Sequence, residues 1–271
     1  MAQPIVNSPS VEGYTLITGG SSGIGRAFAE ECASRGHHLF LIDLPETGLS
    51  ELSNSLTESY GIKAMYMETD LTSQKAAAGV FRYATEQGIR VNFLINNVGK
   101  GHNGTLENLN GEQISTMIRL NILTTTLLTH EFLPMLKANA PAHILNLSSF
   151  AAFTALPGKS VYSASKAYVL YFTKSIRTEL KPYNIKVAAV CPAGVPTSPI
   201  IRERISRSSS IGRSMVSNAD QVARIAIDGV IKGQSVIFPG HRLKTFFACA
   251  WVMPQGLVLK VLGREIKRAP R

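Results

Sequence analysis

The chain has 271 residues, of which 45% are hydrophobic and 17% are charged. This length and composition fit one large α/β domain and exclude a largely disordered chain. The formal net charge of +10 is concentrated near the end of the chain, because residues 198–271 hold 13 of the 28 basic side chains and 4 of the 18 acidic ones. The rest of the chain is nearly neutral, so we expect no nucleic-acid partner.

The cysteines and the N-terminal segment indicate in which cellular compartment the protein works. The three cysteines, Cys32, Cys191 and Cys249, have neither the spacing of a metal site nor that of a disulfide framework, and we expect no metal. Residues 1–13 lack the charged and apolar regions of a secretory signal. Both observations predict a cytoplasmic protein.

The first predicted elements are a strand over Tyr14 to Thr18, a glycine-rich turn, and a helix over Arg26 to Arg35. In this context the glycines allow a tight turn and let the backbone approach a pyrophosphate, while the helix N-terminus offers free N–H groups. The alternative is an ordinary loop between strand and helix. The predicted phosphate site consists of Gly19, Ser21, Ser22, Gly23, Ile24 and Gly25.

The second predicted strand, His38 to Ile42, ends at Asp43. An acid 18 residues after Gly25 is placed to accept hydrogen bonds from the adenosine ribose hydroxyls and to repel a 2′-phosphate. No Arg or Lys follows in residues 44–46, which favours NAD over NADP as the cofactor. The alternative for Asp43 is a cap of the helix predicted over residues 46–60.

Two further strands are predicted over Lys63 to Met67 and over Val91 to Ile95. Asp70 and Leu71 follow the first of these, and Asp70 either accepts from the adenine amino group or caps a helix that begins at Ser73. Strands alternate with helices throughout this half of the chain. That alternation predicts parallel β-α-β units in a doubly wound sheet.

A later helical segment carries Tyr162 and Lys166, four residues apart and therefore on one helix face. A lysine cation one turn away favours the phenolate, so we expect it to lower the pKa of the tyrosine. The pair then forms a proton donor and acceptor. The alternative is a pair of unrelated residues on a helix surface.

Several motifs occur together in a fixed order: Thr18-Gly19-x-x-x-Gly23-Ile24-Gly25, Asn96-Asn97-x-Gly99, Asn121, Ser148-Ser149 and Tyr162-x-x-x-Lys166. With this order and spacing, residues 12–240 resemble the classical short-chain dehydrogenase/reductase family. The resemblance implies a Rossmann-like three-layer α/β sandwich with about seven parallel strands. It also implies NAD(P)(H)-dependent interconversion of a secondary alcohol and a ketone by hydride transfer.

The resemblance also assigns catalytic roles. Tyr162 donates or takes the proton, Lys166 holds the nicotinamide ribose, and Asn121 supports a water-borne proton relay. Ser149, 13 residues before Tyr162, stabilises the substrate oxygen, with Ser148 as second choice. The alternative for Asn121, in a helix predicted over Met117 to Leu136, is a locally bonded helix residue.

By the same resemblance, Asn97 and Gly99 line the adenosine side of the cofactor and steady the central strand. The fifth strand is predicted over His143 to Leu147, and the sixth, Lys186 to Val190, leads into a turn expected to hold the nicotinamide amide. The residues of this turn that match the family are Pro192, Val195 and Thr197.

The last quarter of the chain is expected to surround the substrate. Residues 198–217 are predicted to form a substrate lid, followed by a helix over residues 220–232 and a strand over 235–238. Residues 241–271 form an arm with an apolar stripe and a basic face. It either packs over the pocket or a neighbouring subunit, or contacts a membrane surface or an acidic carrier. The favoured substrate is apolar, acyl or lipid-like.

Two expectations concern the whole molecule. The resemblance implies a homodimer or homotetramer formed through helices near residues 111–138 and 159–181. The alternative to an enzyme is a catalytically silent dinucleotide-binding regulator or scaffold that has kept the fold.

Overall fold

A computed structural model describes residues 13–207, 213–240 and 245, without the side chains of residues 200 and 204. Its centre is one parallel sheet of seven strands in the order β3-β2-β1-β4-β5-β6-β7. The strands are β1 (Tyr14–Thr18), β2 (His38–Asp43), β3 (Ala64–Glu68), β4 (Val91–Asn96), β5 (Ala142–Leu147), β6 (Ile185–Val190) and β7 (Val236–Ile237). The predicted doubly wound sheet is therefore confirmed.

Helices cover both faces of the sheet. They are α1 (Gly23–Ser34), α2 (Leu49–Tyr60), α3 (Ala76–Glu86), α4 (Gly111–Ile118), α5 (Thr125–Ala138), α6 (Ser160–Leu180), α7 (Pro199–Ser206) and α8 (Ala219–Ile231). Side chains of α1, α2 and α8 share one apolar cluster with the sheet, and those of α3, α5 and α6 share another. The molecule is thus a three-layer α/β sandwich, as expected.

Burial explains why the strands read as apolar runs. Every residue of β4 is buried, the inner residues of β1, β2 and β5 are buried as well, and Lys186 is the one residue of β6 that is only half-buried. Parallel strands covered by helices on both faces need apolar side chains at consecutive positions rather than at alternate ones. The continuous runs in the sequence are the result.

Some predicted boundaries were wrong, and backbone geometry gives the reason. Helix α1 begins at Gly23 rather than Arg26, since the glycine turn itself starts the helix. Helix α2 begins after Gly48, where positive φ angles at Glu46 and Gly48 prevent an earlier start. Helix α3 begins at Ala76 instead of Ser73. Strand β7 has two residues, fewer than predicted.

The long helix predicted over residues 117–136 is interrupted. Residues Arg119–Thr124 form a π-helical turn between α4 and α5, with Asn121 fully buried inside it. A π turn widens the helix by one residue per turn and often occurs at functional sites. It changes the direction in which side chains after α4 point.

The sheet order brings the ends of particular strands together. Between β1 and β4 the chain reverses the direction in which strands are added, and this switch point opens a crevice at the carboxyl edge. Within the described ranges, no helix is both long enough and apolar enough to cross a membrane. The arm of residues 241–271 lies outside the described residues apart from Thr245, as do residues 208–212 of the predicted lid.

Candidate active site

The glycine turn after β1 is shaped by close backbone contacts. Gly19 and Gly23 have φ angles of 68° and 56°, which favour glycine. A Cβ atom on Gly25 would lie 1.8 Å from the carbonyl oxygen of Gly19, so no other residue fits there. Ser22 precedes α1 without a side-chain cap, which leaves the N–H groups at the helix start for a ligand. The turn therefore fits a pyrophosphate.

Asp43 is joined to this turn. Its Oδ2 atom accepts from the backbone N–H of Ser21 at 2.9 Å and from its hydroxyl at 2.5 Å, and its Oδ1 accepts from Leu44 N at 2.9 Å. The alternative role as a helix cap is wrong, because Gly48 occupies the N-cap position of α2. The carboxylate is instead held at the outer end of the glycine turn, where an adenosine ribose would lie.

Asp70 and Leu71 border the same crevice. Both carboxylate oxygens of Asp70 accept from Thr72, one from its N–H and one from its hydroxyl, each at 2.8 Å. Asp70 therefore organises the turn before α3 and does not cap that helix, whose N-cap residue is Lys75. Leu71 is buried, and its carbonyl accepts from Thr124 at 2.8 Å. An adenine contact by Asp70 remains a prediction.

Asn97 ties the central strand to the glycine turn. Its Nδ2 donates to the carbonyls of Thr18 at 2.8 Å and Gly19 at 3.1 Å, while its N–H donates to the Thr18 hydroxyl at 3.0 Å. A Cβ on Gly99 would lie 2.8 Å from Oδ1 of Asn121 and 3.1 Å from Nζ of Lys166. Gly99 therefore allows two predicted catalytic side chains to approach the backbone closely.

The Ser149 side chain lies close enough to Tyr162 for a hydrogen bond from it to lower the Tyr162 pKa. Ser149 begins a short 3₁₀ turn, where its Oγ accepts from Ala151 N at 3.1 Å. The Ser148 hydroxyl is buried and donates to the Lys166 carbonyl at 2.8 Å, so it faces α6. This geometry favours Ser149 over Ser148 as the partner of Tyr162.

Lys166 is buried, with 4% of its surface exposed. Its Nζ donates to the Leu147 carbonyl at 2.7 Å. Burial lowers the pKa of Lys166 to about 8, while the nearby Cys191 acts in the opposite direction. The ammonium at the end of β5 is therefore easier to deprotonate than an ordinary lysine.

The expectation that Lys166 lowers the pKa of Tyr162 is not met. Desolvation raises the pKa of Tyr162, the hydrogen bond with Ser149 lowers it, and Cys191 raises it further. The Lys166 ammonium points to the Leu147 carbonyl instead. Spacing of four residues places both side chains on one helix face but does not decide which atom the ammonium meets. Tyr162 is consequently held as a neutral phenol, ready to donate its proton.

Asn121 bonds to distant parts of the chain, so the alternative of a locally bonded helix residue is wrong. Its Oδ1 accepts from Lys100 N at 2.9 Å, and its Nδ2 donates to Lys100 O at 3.0 Å and Ser165 Oγ at 2.8 Å. The Ser165 hydroxyl in turn donates to the Tyr162 carbonyl at 2.7 Å. The π turn thus directs Asn121 toward the Tyr162 helix.

The turn after β6 closes the crevice. The methyl group of Thr197 would lie 3.1 Å from a Cβ on Gly23, so this turn faces the glycine turn. Val195 is buried, and the carbonyl of Pro192 accepts from Phe150 N at 2.8 Å. Together with Pro192, these residues form one wall of the space between the phosphate turn and Tyr162.

Three residues that shape the surroundings of Tyr162 were not predicted from the sequence. Ser165 joins Asn121 to the Tyr162 helix, and its position three residues after Tyr162 was the available signal. Lys100 acts through its backbone, which leaves no trace in the sequence. Gly101 lets the loop after β4 approach the Tyr162 ring, since a Cβ there would lie 3.0 Å from its Cδ2. Among the described residues, no cluster of His, Cys, Asp or Glu is placed to hold a metal.

Comparison with known proteins adds independent evidence. The model of the short chain dehydrogenase family matches residues 14–206. A very-long-chain 3-oxoacyl-CoA reductase of Danio rerio is 31% identical over 198 residues, covering 70% of this chain and 60% of the relative. A 3-oxoacyl-[acyl-carrier-protein] reductase of Aquifex aeolicus is 27% identical over 219 residues, covering 79% of this chain and 88% of the relative.

One solved structure has both a similar sequence and a similar fold. It is a short-chain dehydrogenase from Sphingobium yanoikuyae in complex with NADPH, 30% identical with a TM-score of 0.76. The alignment covers 91% of this chain and 94% of that one. The present chain therefore spans nearly all of this neighbour but only 60% of the Danio rerio relative's length.

Proposed function

Because the chain belongs to the short-chain dehydrogenase family, we propose that it is an NAD(P)(H)-dependent oxidoreductase that interconverts a secondary alcohol and a ketone. One observation carries this proposal. Ser149 lies beside the Tyr162 side chain, while Asn121 donates to Ser165, whose hydroxyl donates to the backbone carbonyl of Tyr162. The segments that carry Ser149 and Asn121 thus meet α6 at the turn that presents the Tyr162 phenol.

We assign the proton to Tyr162. A phenol whose pKa is raised by burial carries its proton at neutral pH, and in ketone reduction it gives that proton to the developing alkoxide. Ser149 donates a hydrogen bond to the same oxygen as negative charge grows there. Lys166 would hold the nicotinamide ribose, and Asn121 holds the loop at Lys100 that borders the pocket. The nicotinamide, when bound, supplies or accepts the hydride.

The crevice fits a dinucleotide. The N–H groups at the start of α1 would hold the pyrophosphate, and Asp43 would meet the adenosine ribose. A carboxylate repels a 2′-phosphate, which supports NAD as the first choice. NADP is the alternative, since the Sphingobium yanoikuyae neighbour is a complex with NADPH. Further predicted cofactor contacts come from Asp70 and from the turn ending at Thr197.

The substrate we propose is an apolar, acyl or lipid-like ketone or alcohol. Two relatives are named as 3-oxoacyl reductases, one for a CoA ester and one for a carrier-protein ester. The apolar wall formed by Val195 and by Ile205 of α7, which packs against Gly194, supports the same class. Substrate closure by the lid over residues 198–217 remains part of this proposal.

Self-association is proposed on the outer surface of α4, the π turn that follows it, and α6. The large apolar side chains exposed there are Ile118, Leu123, Tyr168 and Tyr171, and 67% of Tyr171 is exposed. Exposed apolar patches on a folded protein often mark contacts between subunits. A homodimer or homotetramer is the expected assembly. A cytoplasmic location, with membrane or carrier contact through residues 241–271, stays a prediction from the sequence.

The test is NADH and NADPH oxidation across a panel of ketones that includes 3-oxoacyl thioesters, steroids and small diketones. Tyr162→Phe serves as the blank, because it removes the proton donor and keeps the ring. We expect one ketone class to be reduced by the wild type and the variant to lose about a thousandfold or more. Near-normal turnover by Tyr162→Phe would contradict the proposal, and silence with intact dinucleotide binding would favour the regulator alternative.

A further inference from the structure

Tyr162 lies between two lysines along the chain, and only one of them belongs to the predicted catalytic set. Lys166 follows one turn later, and its buried ammonium is bonded to the Leu147 carbonyl. Lys159 precedes Tyr162 by three residues and is the N-cap residue of α6. Its Nζ lies over the Tyr162 ring, 5.8 Å from the centroid. Lys159 is half-buried.

The backbone holds Lys159 in this position. The N–H of Lys159 donates to Leu156 O at 3.0 Å, and its carbonyl accepts from Ser163 N at 2.8 Å. The preceding Gly158 carbonyl accepts from Gly104 N at 3.0 Å, which joins this segment to the loop after β4. That loop also contacts the phenol edge at Gly101. Two loops therefore enclose the ring, and one of them carries the lysine.

An ammonium in this place has a defined chemical use. Lysine offers three donors and no acceptor, on a stem long enough to follow a ligand. When Tyr162 and Ser149 hold the oxygen of the reacting ketone, the Lys159 ammonium lies within reach of groups only a few bonds away. A simple ketone has no second hydrogen-bond acceptor for the Lys159 ammonium at that position. A substrate with a second oxygen beside the ketone can accept its hydrogen bond.

We propose that Lys159 is a specificity residue that binds the second carbonyl oxygen of a β-oxo ester or thioester, so that the enzyme prefers 3-oxoacyl substrates to simple ketones. The inference rests on the proposed ketone reductase function and adds the feature by which the substrate is selected. It predicts a role for Lys159 that depends on the substrate. A lysine that only assisted the phenol would affect every ketone equally.

The experiment uses two matched substrates with the full-length protein. One is the ethyl ester of a straight-chain β-oxo acid, and the other is the ketone of equal length in which two methylenes replace the ester group. We expect Lys159→Met to lower kcat/KM for the ester by about tenfold to a hundredfold, the effect of losing one charge-assisted hydrogen bond. For the simple ketone we expect a change of less than about threefold.

Two further variants control for side effects. Lys159→Arg keeps the positive charge and should retain most of the preference for the ester. Lys137→Met removes another lysine that lies over a tyrosine ring, 3.7 Å from the centroid of Tyr183, at the opposite edge of the sheet. This variant should leave both substrates unaffected. Equal losses on ester and ketone in Lys159→Met would overturn the inference, as would a wild type without preference for the ester.

A binding measurement separates this inference from the proposed function. In a Tyr162→Phe background the ring remains and turnover is blocked, so ester and ketone binding to the dinucleotide complex can be compared directly by quenching of cofactor fluorescence. Adding Lys159→Met should weaken ester binding by at least about tenfold and leave ketone binding unchanged. Identical ester binding with and without Lys159 would overturn the inference. Failure of the proposed function would instead show as Tyr162-independent turnover or none.

Discussion

At each edge of the sheet a lysine ammonium donates to a backbone carbonyl, but the two lysines have different roles. At the carboxyl edge Lys166 donates to the Leu147 carbonyl at 2.7 Å, and at the amino edge Lys186 donates to the Ile231 carbonyl at 2.7 Å. Lys166 is buried, and a Cβ atom on Gly99 would lie close to both its Nζ and the Oδ1 of Asn121. Lys186, in β6, is half-buried beside the end of α8. It donates to the Ile231 carbonyl, one of the last carbonyls of α8, which have no acceptor role within the helix.

This difference shows that surroundings, more than the contact, decide what a side chain does. Arg177 at the amino edge donates to the carbonyls of Val187 and Gly233, both at 2.7 Å, and thereby joins α6 to the end of α8. Asn121 at the carboxyl edge makes equally good hydrogen bonds, yet through Ser165 they support the helical turn that carries the proton donor. We therefore expect changes at the carboxyl edge to reduce turnover and changes at the amino edge to reduce stability.

The largest effect is expected from a pair of substitutions that remove one cation from each edge. Lys166→Met should lower kcat about a thousandfold. It should not lower the free energy of unfolding at pH 7, because the buried ammonium is itself costly. Arg177→Met should cost about 3 kcal/mol of stability and leave kcat within about twofold. Rates and urea denaturation curves for both variants check this, and a Lys166→Met variant with normal turnover would break the comparison.

Acidification should lower the stability of the protein through two histidines at the amino edge of the sheet. His37 and His143 are buried, and the pKa of each is lowered to about 4, chiefly by desolvation. Cations also lower them, Arg35 and His38 for His37, and Lys186 and His37 for His143. Between pH 6.5 and about 4 these two histidines are protonated in the unfolded chain but still neutral in the folded chain. The stability of the fold therefore falls as the pH falls. The loss should reach about 3 kcal/mol for each histidine.

Urea denaturation of the wild type and His143→Phe between pH 7 and pH 4 measures this loss. Phenylalanine fits the site, because the His143 ring already packs 5.5 Å from the Phe93 ring. The variant should lose less stability on acidification than the wild type, by about the contribution of one histidine. Parallel curves for the two proteins would show that His143 does not titrate in this range.

A smaller effect is expected for one asparagine at each edge. Asn121→Ala should lower kcat by about tenfold to a hundredfold, since the loop at Lys100 and the link to Ser165 lose their partner. Asn139 ends α5 at the amino edge and donates to Met135 O at 2.9 Å. Asn139→Ala should cost about 1 kcal/mol of stability with kcat unchanged. Equal effects on kcat from the two variants would contradict the assignment of Asn121.

The smallest effect concerns cofactor choice. Asp43→Ala should raise the kcat/KM ratio of NADPH to NADH by about tenfold, because the carboxylate no longer repels a 2′-phosphate. Asp70→Ala is the control, since an adenine contact is common to both cofactors and its loss should leave the ratio unchanged. An unaltered NADPH-to-NADH ratio in Asp43→Ala would show that Asp43 does not discriminate between the two cofactors at the adenosine ribose.

Most of the fold could be predicted, and the errors share a cause. The central strands β1, β2, β4, β5 and β6 follow from largely buried apolar runs, which local sequence reveals directly. The starts of α2 and α3 were misplaced by three residues because positive φ angles and short turns are weak signals in a sequence. The π turn around Asn121 has no sequence signature of its own. It follows from contacts with Lys100 and Ser165, which are 21 and 44 residues away.

By itself, the sequence determined the parallel α/β class and the glycine turn at Gly19 to Gly25, which are local patterns fixed by spacing within one strand, turn or helix. The set of Ser149, Tyr162 and Lys166 came from the order of motifs and the family that this order resembles. Only the tertiary structure decided that Ser149 meets Tyr162, that Lys166 bonds Leu147, and that Lys159 stands over the phenol. The physical reason is that hydrogen-bond partners and pKa shifts depend on atoms brought together from distant segments, and burial at the meeting point sets their strength.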